Sequence, residues 1–262
     1  MADNFFRNGV VSMRLKLTLS YDGSDFFGWQ RQPEKITVQG EIESALQKIY
    51  GEASFTNFAV TGSGRTDEGV HALGQVAHAT VPNKIEPQKL ISALNFYLPQ
   101  SVRILICEEV DENFHAIKSA VSKTYQYDMY LGAENPLLQS RAMRLPQNVD
   151  IDKMSTAASL FVGKHDFMAF HCKGGTTKTT IRTVFKSEIT ECNLYGSDGL
   201  RFTVSANGFL YKMVRILAGT IIKVGTGKLQ QDEVAELLLA GKEWTKKVPA
   251  EPQGLYLIKV EY

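Results

Sequence analysis

The sequence predicts an α+β fold built twice over, because two patterns and one repetition coincide. Runs of alternating apolar and polar residues mark half-buried strands. Amphipathic stretches at helical spacing lie between them, and the same order of elements returns in the second half. The composition agrees: 262 residues, 44% hydrophobic and 22% charged, is the profile of a soluble globular chain able to bury a core.

In the first half Leu15, Leu17, Leu19 and Tyr21 alternate with polar neighbours, which predicts a strand from Arg14. Thr37 suits the cap of a helix ending at Gly51, with Val38, Ile42, Ala45, Leu46 and Ile49 on one face. A glycine-rich loop follows, then a strand from Gly74 to Val81. Pro87 suits a helix start, Leu90, Ile91, Leu94 and Leu98 give a core face, and Pro99 stops it. Val102 to Val110 predicts another strand.

The second half runs similarly. Tyr125, Tyr127, Met129 and Leu131 alternate along a strand. Asp150 suits a helix cap, with Ile151, Met154, Ala157, Ala158 and Phe161 turned inward. Strands are expected over Arg182–Cys192 and Leu200–Ala206, a helix from about Gly208 to Lys223, a further helix over Asp232–Ala240, and a last strand over Leu255–Tyr262. Each half thus has the ferredoxin-like βαββαβ order. Two such halves would join into a broad, mainly antiparallel sheet with helices on one face. The expected organisation is a loose leader over 1–13, a first half over 14–112 carrying the glycine-rich loop, and a second half over 113–262 completing an active cleft. The basic loop Gly163–Thr180 is long enough to be functional or mobile.

No apolar run is long enough to span a membrane, and the N-terminus lacks the pattern of a signal peptide. Cys107, Cys172 and Cys192 are far apart, which argues against a disulfide framework or zinc site and for a reducing cytoplasm. The net charge is only +1, but Lys173, Lys178, Arg182 and Lys186 share an acid-free tract, as do Arg201, Lys212, Arg215, Lys223 and Lys228. These are either solvated faces or local attraction for a polyanion, and their concentration in one half favours nucleic acid.

Chemistry concentrates in Thr61-Gly62-Ser63-Gly64-Arg65-Thr66-Asp67-Glu68-Gly69-Val70-His71-Ala72. Asp67 is a candidate catalytic carboxylate and Arg65 a cation close enough to pair with it or with a phosphate. The bland alternative is a hairpin turn facing water. His71 and His78 read as structural. Tyr125 is either an aromatic core residue or a stacking partner for an unpaired base. Arg215 is either solvated or turned inward toward a carboxylate. Tyr21–Gln30 is either a buried corner or an RNA-contact loop. Gly225-Thr226-Gly227-Lys228 completes no phosphate loop, and no metal-ligand cluster is visible.

These residues are similar to those of the tRNA pseudouridine synthase A (TruA) family over nearly the whole chain, from about Arg14 to Tyr262. The matching pieces are Tyr21-Asp22-Gly23 with Phe27-Gly28-Trp29-Gln30, Gly64-Arg65-Thr66-Asp67 with Gly69-Val70-His71-Ala72, and Phe114-His115-Ala116. Then come Tyr125-x-Tyr127, His165-Asp166-Phe167, Arg182-Thr183, Met213-Val214-Arg215 and Gly254-Leu255-Tyr256-Leu257.

The resemblance implies a pseudouridine synthase fold, a homodimer, no cofactor or metal, and a uridine substrate on the 3′ side of the tRNA anticodon stem-loop. It implies that Asp67 is catalytic, that Tyr125 contacts the target uridine, that Arg215 pairs with the catalytic aspartate, and that Arg65 serves RNA binding and base flipping. Asp67 would attack C1′ or remove a sugar proton. Glu68, Gly208, Ile216 and the Lys123-Thr124 pair depart from the commoner pattern without removing a catalytic group. The competing expectations are an RNA-binding module or tRNA chaperone without catalysis and, ranked below it, a nucleoside glycosidase, which would release free uracil.

Overall fold

The computed structural model describes residues 12–51, 58–82, 85–175 and 177–262. The chain divides into two compact units, Met1–Ala120 with Tyr262, and Val121–Glu261. Most of the expected leader, up to residue 11, lies outside the described residues, while Ser12 and Met13 already belong to the first strand.

The first unit comprises β1 (Ser12–Tyr21), α1 (Val38–Tyr50), β2 (Thr61–Gly62), β3 (His71–Pro82), α2 (Pro87–Tyr97) and β4 (Val102–Val110). Its strands run β4-β1-β3, with β2 on β3, all antiparallel. The alternation in β1 buries Met13, Leu15, Leu17, Leu19 and Tyr21 on one face. Opposite Leu17 stand Ala77 on one side and Cys107 on the other. The Thr37 hydroxyl accepts the Gly40 N–H and caps α1, while Gly51 ends it. Tyr50 is buried there, whereas the expected Ile49 is only partly covered. Pro87 starts α2, and Leu90 and Leu94 face inward against the β4 side.

His78 is buried in β3, where its Nδ1 accepts the Ala116 N–H at 3.1 Å. The Tyr262 hydroxyl donates to the Ala116 carbonyl at 2.9 Å, and its ring lies against Phe114. The Phe114–Ala116 segment is thereby pinned to the sheet.

The second unit comprises β5 (Ser122–Leu131), β6 (Met143–Leu145), α3 (Ile151–Ser159), β7 (Gly163–Asp166), β8 (Ile181–Leu194), β9 (Ser197–Ala206), α4 (Met213–Gly225), α5 (Gln231–Ala240) and β10 (Leu255–Glu261). The strands run β10-β5-β9-β8-β7, antiparallel throughout, with β6 parallel on β5. Asp150 caps α3 by accepting the Lys153 N–H. Met154, Ala157 and Ala158 are buried as expected, with Ile151 only partly so.

Two expectations change here, and one short strand was not foreseen. The Gly163–Thr180 stretch is not loop throughout: it opens with β7 and a 3-10 turn over Phe167–Phe170, in which the Phe170 ring packs on Phe161, Phe167 and Trp244. The short β6 gave no alternation to read. The helix expected from Gly208 begins only at Met213, because Lys212 takes a left-handed conformation at φ 58°. Leu210 is buried anyway, so the apolar stripe runs on past the true helix start. Among the described residues no helix is long and apolar enough to cross a membrane.

Burial first, then Arg14 and His115, lower the His78 pKa from 6.5 to about 4. The unfolded chain therefore binds the extra proton first, and stability present above pH 6.5 is lost as the pH falls toward 4. Denaturant midpoints measured across that window should decline for the native protein, and the decline should flatten in His78→Gln.

Candidate active site

The loop between β2 and β3 hangs on one buried side chain. Gln75 is fully buried in β3. Its Oε1 accepts the Ser63 hydroxyl at 2.8 Å and the Val76 N–H at 3.1 Å, and its Nε2 donates to the Gly64 carbonyl at 3.0 Å. Ser63 returns its own N–H to Val76. The Tyr21 hydroxyl, from β1, bonds the Thr66 hydroxyl at 2.8 Å. Burial pushes that phenol up to about 12, so it stays protonated near neutrality.

With Ser63, Thr66 and Val70 buried, the residues between them are forced outward. Arg65 and Glu68 are exposed and Asp67 is half-covered. The Asp67 carbonyl accepts the Val70 N–H at 3.2 Å across a turn that Gly69 permits at φ 75°. The carboxylate thus sits at the apex of a loop fixed on both sides. Among the described residues Arg65 has no ion pair and is exposed, so of its two expected partners, Asp67 or a phosphate, the first is not engaged.

The aromatic segment after β1 is a buried corner under this loop. Phe26 and Trp29 are each 3% exposed. Trp29 donates its N–H to the Thr66 carbonyl at 3.1 Å, and its carbonyl accepts the Gln39 N–H of α1. Gly28, at φ 82°, leaves a side-chain carbon no room: a Cβ there would stand 2.6 Å from the Thr66 oxygen. Gly23 meets the Val70 backbone more closely still, and its N–H donates to His71 Nδ1 at 3.0 Å. That bond makes Nδ1 an acceptor, with the Asp22 carboxylate 3.2 Å away. His71 therefore locks the corner to the loop rather than facing a substrate.

In the second unit Tyr125 lies on β5 between Val204 and Leu257, 7% exposed, with its ring edge-to-face against Phe209 at 5.1 Å. Phe209 falls in the irregular stretch before α4, inside the helix expected from about Gly208 but outside its apolar stripe. Tyr127 is completely buried, and its hydroxyl donates to the Glu251 carbonyl at 2.7 Å. Lys123, two residues before Tyr125, is drawn down to about 8 by burial.

Arg215 stands in the first turn of α4. Its Nε donates to the Ala250 carbonyl at 2.8 Å, and its own carbonyl accepts the Ala250 N–H at 2.9 Å. The side chain is therefore held by the 248–251 segment, neither loose in solvent nor sunk in the core.

The two basic tracts are less bare than the sequence suggests. Arg201 makes two hydrogen bonds, at 2.7 and 2.8 Å, to Asp128. Lys173 pairs with Glu243 and Lys186 with Glu188. Arg182 has no acid partner among the described residues. Among those residues no group of three or more His, Cys, Asp or Glu side chains is placed to hold a metal ion.

A family model described as tRNA pseudouridine synthase matches residues 18–117 and 157–262. The match includes the Asp67 loop and Arg215, whereas Tyr125 falls between its two parts. A tRNA pseudouridine synthase A of Bacillus pumilus is 42% identical over 251 residues, covering 95% of this chain and 99% of that relative. One of Methylacidiphilum infernorum is 44% identical over 250 residues, covering 94% of each. One of Ruminiclostridium cellulolyticum is 41% identical over 253 residues, covering 95% and 99%.

Gly51 also has a positive φ, 77°, but open space where a Cβ would stand. Alanine at either position suffers the left-handed backbone; only at Gly28 does it also strike the loop. Gly28→Ala should cost roughly 1–3 kcal/mol more than Gly51→Ala in denaturant midpoints. Equal losses would show that the corner does not brace the loop.

Proposed function

Because this chain belongs to the tRNA pseudouridine synthase family, we propose that it isomerises uridine to pseudouridine in tRNA, with Asp67 as the catalytic carboxylate. The observation that carries the reading is the match to the family and its relatives across the Gly64-Arg65-Thr66-Asp67 loop, which the Gln75 network holds with Asp67 at its apex. The target uridines lie on the 3′ side of the anticodon stem-loop. The enzyme acts as a cytoplasmic homodimer, as the family resemblance implies. Each unit is a ferredoxin-like half; the strand orders β4-β1-β3-β2 and β10-β5-β9-β8 support that reading.

The reaction moves the ribose bond of uracil from N1 to C5. A base paired in a stem is out of reach, so the nucleotide leaves the stack at a cost of a few kcal/mol (about) that tRNA contacts offset. The exposed Arg65 serves those contacts. Asp67 begins cleavage of the glycosidic bond, by attack at C1′ or by taking a sugar proton; both routes need its ionised carboxylate. Tyr125, steadied by Phe209, packs on the released uracil while it turns, and its hydroxyl assists loss of the C5 proton. Arg215, held by Ala250, supplies positive charge for the same reaction. Excluding water keeps the sugar from hydrolysis to an abasic site.

Tritium release from tRNA transcripts carrying [5-³H]uridine tests this. The native protein should release tritium, Asp67→Asn should fall by roughly 10⁴-fold or more, and Tyr125→Phe by about 10²-fold. RNA binding without release from any tRNA would leave a binding module instead, and free uracil would indicate a glycosidase.

A further inference from the structure

Arg182 is a partly buried cation without a counter-ion. It is the second residue of β8, opposite His165 of β7. One terminal nitrogen, Nη1, donates to the Thr179 carbonyl at 2.9 Å and to the Ile181 carbonyl at 2.6 Å. Those bonds fix the plane of the guanidinium. They leave Nε and Nη2 without a partner among the described residues. Withdrawing a charge from water without an opposite charge is costly, and burial alone lowers this group's pKa. A fixed guanidinium with two open donors has the geometry that grips two oxygens of one phosphate.

Its surroundings favour the same ligand. Thr179, whose carbonyl Arg182 holds, lines a cavity of about 540 Å³ together with Thr177, Lys178 and Thr180. Lys178 is exposed and has no acid partner among the described residues. The two acids at this cavity are already engaged: Asp166 accepts the Met168 N–H, and Glu243 pairs with Lys173 and Lys247. The donors that line it are therefore the Lys178 ammonium and threonine hydroxyls, and Arg182, next in the chain to the lining Ile181, is tied to this wall through the Thr179 carbonyl.

The location ties this cluster to the base-contacting tyrosine. Thr183 and Asn207 exchange two hydrogen bonds, fastening the start of β8 to the turn after β9. In that turn a Cβ at Gly208 would lie 3.7 Å from Arg182 Nε, and the next residue, Phe209, carries the Tyr125 ring on its edge.

We infer that Arg182, aided by Lys178, holds a backbone phosphate of the RNA next to the nucleotide whose base meets Tyr125. This rests on the tRNA-modifying reading and adds to it a site for the strand. Phosphate contacts set register and orientation while base contacts specify, so Arg182 places the strand and Tyr125 meets the base.

The test is the affinity of the full-length protein for an unmodified tRNA transcript between about 50 and 200 mM salt, beside tritium release. Arg182→Gln should weaken binding about tenfold and lower the slope of log affinity against log salt by about 0.7–0.9. Arg182→Lys should restore that slope while remaining a few-fold weaker, and the loss should fall on KM rather than kcat. Unchanged slope in Arg182→Gln overturns the inference, as does weakening that lysine leaves unrescued, which marks a structural role. Should Arg182→Gln lose its cooperative thermal transition, the exposed change Lys178→Gln takes its place: a lowered slope supports the site and an unchanged one overturns it. A native protein that binds tRNA but releases no tritium instead refutes the isomerase reading, a failure distinct from either.

Discussion

The first unit depends on one desolvated amide. Gln75 sits on a strand whose neighbours are nearly all apolar, and it satisfies both ends of its side chain on the loop it supports. A buried amide left half-satisfied would cost more than its bonds contribute. The loop therefore has one low-energy placement, the one in which Ser63 and Gly64 meet Gln75. The β1–β3 register then places Tyr21 beneath Thr66. Fixing a catalytic group on a loop requires this kind of over-determination, since a displacement near 1 Å can cost 10²-fold in rate (about).

The second unit solves a comparable problem differently. There the backbone of one segment serves two elements, α4 and β5. Ala250 exchanges hydrogen bonds with Arg215, the Val248 carbonyl fills the space that Gly219 leaves on α4, and the Glu251 carbonyl receives the Tyr127 hydroxyl. Burial raises the Tyr127 pKa and nearby Arg215 opposes the rise, so the phenol stays protonated and keeps donating. The Ala250 carbonyl orients the Arg215 guanidinium through its Nε.

Much of this was legible in the chain because the determinants are local. The β1 alternation, the Thr37 and Asp150 caps and the Pro87 start each state their element within a few residues. The glycine-punctuated loop announced itself in the same way. What escaped was set by distant partners. Gln75 looks like any polar interruption of a strand until Ser63 and Gly64 are seen on it. The tract around Arg201 looks unopposed until Asp128, 73 residues earlier, closes on it. Lys212 interrupts an apolar stripe that continues on both sides, so periodicity alone overran the helix start. The family resemblance supplied roles for Asp67, Tyr125 and Arg215 that spacing left open.

Tyr262 has a consequence for the order of synthesis. It belongs to the first unit, where its hydroxyl meets a carbonyl 146 residues earlier in the chain. A ribosome must therefore translate the whole second unit before the first receives that residue. Until then the nascent first unit has Phe114 packed on His78 alone of its two ring partners and an unclaimed Ala116 oxygen. Its full stability arrives only as translation reaches Tyr262, so assembly of the first unit finishes after the second has been made.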